Sequence, residues 1–189
     1  MYMKLILLVA ITLVTGLSVY SQVPGNRNPL INKTLSPTEN ERISPEKNLK
    51  INPLFNWNLN PYSNAAINPT SNALINPKLN TKINPHYNET INPLRSLSLN
   101  PLMNTNWRGF YLFDQSGNHK GYCVMADQMV MLNFDTKGKW IGYMVLTDTK
   151  TYNFFDLKDE WTGIFCCTDS DSGVNLFNKD GEWTGEFAK

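Results

Sequence analysis

The sequence is poor in the residues that most often carry chemistry. Among 189 residues there are two histidines, His86 and His119, and three cysteines. It contains no Gly-x-Ser-x-Gly, His-Glu-x-x-His or phosphate-loop motif, and no Cys or His pair has the spacing of zinc ligands. We therefore expect a protein that is not an enzyme, with no catalytic residue, no cofactor and no metal site.

The chain also lacks a charge surplus, since 17 basic residues stand against 16 acidic ones. A nucleic-acid partner would normally require a basic excess, so none is expected. The balance hides an asymmetry, because residues 27–106 have a net charge of +4 and residues 107–189 a net charge of −4. The two regions would attract each other within one chain or between chains, so self-association is compatible with the sequence.

Long apolar runs are absent apart from Leu5 to Val14. This run follows Lys4 and precedes small residues up to Ser21, which is typical of a secretory signal peptide. It is shorter than the ~20 residues of a membrane-spanning helix. We expect residues 1–21 to be removed, no transmembrane segment to remain, and the protein to be exported to the periplasm, the cell surface or the medium.

An octapeptide repeat is the most abundant feature. After a linker at residues 22–26, ten octads fill residues 27–106 with the frame apolar residue, Asn or Ser, Pro, two variable residues, Asn and two more variable residues. Proline excludes a continuous helix, and Asn before Pro favours a type I turn. Two forms of the array remain open. The single Ile or Leu per octad favours an extended or disordered stalk, whereas the unbroken frame favours a solenoid with Ile and Leu inward.

Residues 107–189 lack proline and contain 16 aromatic residues. Four units of strand, turn and strand recur here, which predicts a small antiparallel β domain of four hairpins that folds alone, as a closed barrel or an open sheet. The all-β fold class follows. The turns begin at Asp114, Asp135, Asp156 and Asn178, and Gly117, Gly138, Asp159 and Gly181 take the positions that favour positive φ.

The second strand of each unit opens with His or Trp, and period-two alternation predicts which side chains share a face. We expect this face to form the core, with four pairs: His119 with Cys123, Trp140 with Met144, Trp161 with Phe165, and Trp183 with Phe187. By the same rule, the adjacent Cys166 and Cys167 point to opposite faces. The disulfide state of the three cysteines is open, and an odd number leaves at least one thiol unpaired in a monomer.

Three groups of residues resemble functional sites. The recurring turn carboxylates suggest calcium, but Asp at the first turn position ordinarily binds the following amides. Residues 169–173 resemble the start of a calcium-binding loop, but Asp180 stands where such a loop has a bidentate Glu. Cys123 and His119 suggest a thiol dyad, but the other units hold apolar pairs there. Turn and core roles are therefore expected at all three.

The octads followed by a small β region resemble uncharacterised secreted bacterial proteins, a resemblance that implies no activity. The run Phe-Asp-x-x-Gly, as at Phe134 to Gly138, resembles the choline- and glucan-binding repeats of cell-wall proteins and also the WG repeat. In the cell-wall repeats the aromatics precede the turn, whereas Trp follows it here, so ligand-binding aromatics are not carried over. The sequence predicts a binding module for a glycan or protein, or alternatively a spacer protein whose octads are the interaction surface and whose β domain is a cap.

Overall fold

A computed structural model describes residues 23–148, 151–169 and 173–189. The predicted signal peptide, residues 1–21, lies outside the described residues. The all-β fold class is confirmed, because eight antiparallel strands close into a barrel in sequence order. The strands are β1 (Phe110–Phe113), β2 (His119–Met125), β3 (Val130–Asp135), β4 (Trp140–Asp148), β5 (Thr151–Phe155), β6 (Trp161–Thr168), β7 (Val174–Phe177) and β8 (Trp183–Ala188).

The helices are short. Within the described ranges they are 3-10 turns of three residues: Gly25–Arg27, Glu41–Ile43, Leu49–Ile51, Trp57–Leu59, Ala65–Ile67, Ala73–Ile75, Glu89–Ile91 and Leu97–Leu99. Not one helix in this part of the chain has the length and apolar character needed to cross a bilayer.

The turns that join β1 to β2, β3 to β4, β5 to β6 and β7 to β8 share one construction. In the second of them, Asp135 Oδ1 accepts hydrogen bonds from the backbone amides of Lys137 at 2.8 Å and Lys139 at 2.9 Å. Gly138 then adopts a φ of +81°. Asp159 takes the same place in the third turn at a φ of +69°, which is uncommon outside glycine.

Four stacked aromatic pairs hold successive units together on the outer face of the barrel. Each pair joins the second strand of one unit to the first strand of the next, with ring centroids 5.2 to 5.7 Å apart. The last pair closes the ring by joining β8 to β1. The pairs are Tyr122 with Phe134, Tyr143 with Phe155, Phe165 with Phe177, and Phe187 with Phe113.

The inner face of the barrel is filled by a separate apolar cluster that includes Cys123, Met131, Met144, Cys166 and Leu176. These residues alternate along the strands with those of the outer face, as the two-residue period of a strand requires. The barrel therefore has two apolar faces, and the outer one needs a cover.

The predicted shared faces are wrong in the first two units and correct in the last two. His119 pairs with Phe113 on the outer side, whereas Cys123 pairs with Phe110, after a register shift that adds one residue to β2. The same shift in β4 separates Trp140 from Met144, which lie in the outer and inner clusters. One extra residue in a strand moves every following side chain to the opposite face of the barrel. β6 and β8 each accommodate two extra residues, so their side chains stay on the predicted faces.

Each octad consists of two consecutive turns, and the fourth octad shows the pattern. Asn52 O accepts hydrogen bonds from the amides of Phe55 at 3.1 Å and Asn56 at 2.9 Å, and Asn56 O accepts from Leu59 N at 2.9 Å. Each Asn side chain also accepts from the amide two residues ahead. The Asn56 amide nitrogen donates back to Lys50 O at 2.7 Å, so the side chains tie each octad to the one before.

The Ile or Leu that opens an octad is buried or half-buried, whereas Arg27, which opens the first octad, is exposed. Leu59, Ile67, Ile75 and Ile83 are at most 4% exposed, and three of them share one apolar cluster with barrel residues such as Phe134. This arrangement differs from both forms considered for residues 27–106. The array is neither extended nor stacked around a core of its own, because the outer face of the barrel supplies the apolar partner that one residue in eight lacks by itself.

We call residues 27–106 the belt, because they pass around the barrel against the strand order. Leu35 O accepts from Asn175 Nδ2 of β7 at 3.1 Å, and Leu59 O accepts from Asn153 Nδ2 of β5 at 2.7 Å. Directly after the belt ends, the centroid of the Trp107 ring lies 5.7 Å from that of Tyr122 in β2. The belt and the barrel therefore share one core.

Candidate functional site

The aromatic side chains of the barrel are used for packing. Trp140 is 9% exposed and donates its indole N–H to Gly142 O at 2.8 Å. Trp161 and Trp183 are half-buried and donate theirs to Ile164 O at 2.9 Å and Glu186 O at 3.2 Å. Few barrel rings are left free to stack on a ligand.

The exposed apolar side chains lie on the belt instead. Of the 18 large apolar residues that are exposed in the described part of the chain, 14 belong to residues 27–106. The four aromatic ones are all on the belt: Phe55, Trp57, Tyr62 and Tyr87. Since the octad frame turns its first residue to the barrel, the variable positions face outward, and they hold these side chains.

The densest group, which we call the outer patch, consists of Leu54, Phe55, Trp57 and Tyr62. Their exposed fractions are 44%, 63%, 76% and 73%. Phe55 and Trp57 flank Asn56, whose turn fixes the local backbone. The Tyr62 and Trp161 rings form a T-shaped pair with their centroids 5.5 Å apart, so one end of the patch contacts the barrel. Rigid, exposed aromatics of this kind are what protein-binding surfaces are rich in.

The thiols are enclosed. His119 and Cys123 lie on opposite faces of β2, so they form no dyad. Burial raises the pKa of the Cys123 and Cys166 thiols above the ordinary value and raises that of Cys167 to about 12. Cys166 lies in the inner cluster and Cys167 in an outer one, as their adjacency in a strand predicts. All three are free and buried, which disfavours the thiolate that nucleophilic chemistry needs.

The recurring turn carboxylates serve the turns. Asp114 and Asp156 each accept two backbone amides through one oxygen, as Asp135 does. The hydrogen bond from the Asn118 amide is the main cause that lowers the pKa of Asp114. The centre of the predicted loop at 169–173 lies outside the described residues. Within them, no group of three His, Cys, Asp or Glu side chains is placed to hold a metal ion.

Several cavities between the described residues are accessible from solvent, and two of them bear on binding. One, of about 210 Å³, opens at the end of the barrel between apolar residues and the ion pair of Lys120 Nζ with Glu186 Oε1 at 2.6 Å. The other, of about 350 Å³, lies between the turn that joins β3 to β4 and the eighth and ninth octads. We call the second cavity the turn pocket. Sequence reasoning missed both, because each is assembled from residues far apart in the chain.

Comparison with protein-family models, with curated proteins and with solved structures found no match.

Proposed function

We propose that the chain is an exported, non-enzymatic binding protein that recognises a protein partner through the outer patch of its belt. The belt is then the interaction surface and the barrel is the support that orders it. The octad array and the four-hairpin region act as one unit in this proposal, since neither buries its apolar face without the other.

The observation that carries the proposal is the concentration of exposed apolar side chains on one part of the molecule. Phe55 and Trp57 are exposed by 63% and 76% although the neighbouring first residue, Leu59, is 1% exposed. Contiguous exposed apolar surface is unusual on a soluble protein and is characteristic of interaction sites. Aliphatic neighbours such as Leu54 favour a protein over a glycan, because sugar rings are bound mainly by aromatic rings and hydrogen-bonding groups.

The sequence also suggested that the hairpin region itself recognises a surface glycan. That version has less support, because the barrel aromatics pack against one another or under the belt. A glycan would have to use Trp161 or Trp183, which are half-buried.

The test uses the chain from residue 22 onward in three forms. One is unchanged, one carries Phe55→Ser with Trp57→Ser, and a control carries Glu46→Ser with Lys50→Ser, which alters exposed polar residues nearby and keeps the net charge. Each is cross-linked to exported and cell-surface proteins, applied to a glycan array, and examined by sedimentation for self-association.

We expect a defined protein to be captured by the unchanged chain and the control, and capture to fall about tenfold or more when the two aromatics are lost. A second copy of the chain as that partner would appear as a dimer sensitive to the same change. Equal capture by all three forms would refute the role of the outer patch. Binding confined to the glycan array would replace the protein partner by a glycan.

A further inference from the structure

The turn pocket is a second, independent site. Its wall combines the apolar side chains of Leu94, Phe134 and Trp140 with the cationic side chains of Lys137 and Lys139, and His86 also lines it. No carboxylate belongs to its lining among the described residues. The rings of His86 and Trp140 form a T-shaped pair on one side of the pocket, with their centroids 5.6 Å apart. The volume of about 350 Å³ falls in the range of small-molecule sites.

Tyr122 and Tyr143 occupy equivalent places in successive units, each stacked on the Phe of the next. The hydroxyl of Tyr143 donates to Asp159 Oδ1 at 3.0 Å, and Asp159 Oδ2 lies 3.3 Å from Lys78 Nζ of the belt. A tyrosine hydroxyl, a carboxylate and a lysine therefore form one arrangement in that unit.

The equivalent place around Tyr122 has the tyrosine hydroxyl without the carboxylate, and the belt residue next to Gly138 is Leu94. Gly138 stands where the later unit has Asp159, and the Tyr122 hydroxyl lies 3.1 Å from the position that a Cβ on Gly138 would take. Tyr122 is 1% exposed, and within the described residues its hydroxyl has no hydrogen-bond partner. A buried donor in that condition costs free energy that an acceptor would recover.

The surroundings of the Tyr122 hydroxyl favour its role as a hydrogen-bond donor to an anion. Burial, with a contribution from the Asp135 charge, raises the pKa of Tyr122 to about 12, so the hydroxyl keeps its proton. The carboxylate of Asp135 accepts hydrogen bonds from the amides of Lys137 and Lys139 through its Oδ1 atom. Those two lysines line the pocket, and their positive charges favour an anion.

From this comparison we infer that the turn pocket binds a small carboxylate with an apolar body. Its carboxylate takes the place beside Gly138 that the Asp159 side chain takes in the next unit, accepts the Tyr122 hydroxyl and pairs with a lysine. Its apolar part lies against Phe134 and Trp140. Leu94 is the movable cover, because its Cδ2 atom is 2.9 Å from the Gly138 Cβ position while the residue is 61% exposed.

The experiment titrates the chain from residue 22 onward with phenylacetate and, separately, with the neutral isostere phenylacetamide. Binding is followed by calorimetry and by the NMR shifts of the Gly138 and Lys139 amides. Three variants accompany the parent. Tyr122→Phe removes only the hydroxyl, Gly138→Asp supplies the internal carboxylate, and Tyr143→Phe makes the same chemical change at the equivalent place outside the pocket.

Phenylacetate should bind the unchanged chain and Tyr143→Phe with equal affinity, and Tyr122→Phe about tenfold more weakly. It should cause no NMR shift in Gly138→Asp. Phenylacetamide should bind about tenfold more weakly than the acid. Equal affinity for acid and amide would overturn the inference, and so would equal affinity of Tyr122→Phe and the parent. Absence of any shift up to about 50 mM phenylacetate would do the same. The outer patch has no part in these outcomes, so this test is independent of the proposed function.

Discussion

Replacing Tyr143 by Phe removes one oxygen from a well-packed ring and tests the hydrogen bond that this oxygen makes. The hydroxyl donates to Asp159 Oδ1 at 3.0 Å, and the side chain of Asp159 is only 13% exposed. Burial, with the Asp159 and Asp156 charges, raises the pKa of Tyr143, so the hydroxyl keeps its proton and acts as a donor. A hydrogen bond to a charged group contributes about 1.5–3 kcal/mol.

We therefore expect Tyr143→Phe to lower the free energy of unfolding by about 1.5–3 kcal/mol, or the melting temperature by roughly 3–12 °C for a chain of this size. Urea denaturation followed by tryptophan fluorescence measures this loss. The ring stacked on Phe155 is kept, so packing contributes little.

Tyr122→Phe is the matched control, because it deletes a hydroxyl that has no partner among the described residues. Removing an unsatisfied buried donor is neutral or stabilising. We expect its midpoint to equal or exceed that of the unchanged chain. If Tyr122→Phe were as destabilising as Tyr143→Phe, the Tyr122 hydroxyl would have a hydrogen-bond partner of its own. That result would contradict the assignment of the turn pocket.

The remaining predictions concern the belt, the barrel alone and pH. Leu59→Ala should lower the free energy of unfolding by about 2–5 kcal/mol, because Leu59 is 1% exposed. Leu74 is 75% exposed, so Leu74→Ala should change this free energy by less than about 0.5 kcal/mol. Equal effects of the two substitutions in urea denaturation would contradict the packing of the belt. Residues 107–189 expressed alone should aggregate and bind a hydrophobic dye, since the outer face loses its cover; a monomer that unfolds cooperatively would contradict this expectation. Burial lowers the pKa of His119 from 6.5, so below about pH 6.5 the unfolded chain binds the proton more readily and stability falls as the pH drops. His119→Phe should reduce the loss between about pH 7.5 and 5.5, and an unchanged loss would contradict the assignment.

The local chemistry of both repeats could be predicted from the sequence. Asp or Asn at the start of each barrel turn implied side-chain hydrogen bonds to the following amides, and the structure has them at Asp114 and Asp135. The need for positive φ at Gly138 and Asp159 was equally local. These features depend on a few neighbouring residues, so a window of the sequence contains the whole cause.

The face of the barrel on which each side chain lies was predicted less well, because it depends on the register of the strands. One extra residue in β2 and β4 placed His119 and Trp140 opposite to the expected side. The sequence shows equal spacing at the start of all four units and does not show how many residues each bulge absorbs, which the pairing with the neighbouring strand decides.

The sequence by itself determined the turns, the alternation of the strands and the eight-residue frame that presents one apolar side chain per octad. Only the tertiary structure decided what those side chains pack against. Ile67 and Ile75 find their partner in the outer face of a barrel formed by later residues, so the order of the belt is a property of the whole chain. The same long-range packing left Phe55 and Trp57 exposed and placed Tyr122 beside Gly138. Both candidate binding sites therefore come from packing, because an octad alone buries too little apolar surface to offset the entropy of ordering its backbone.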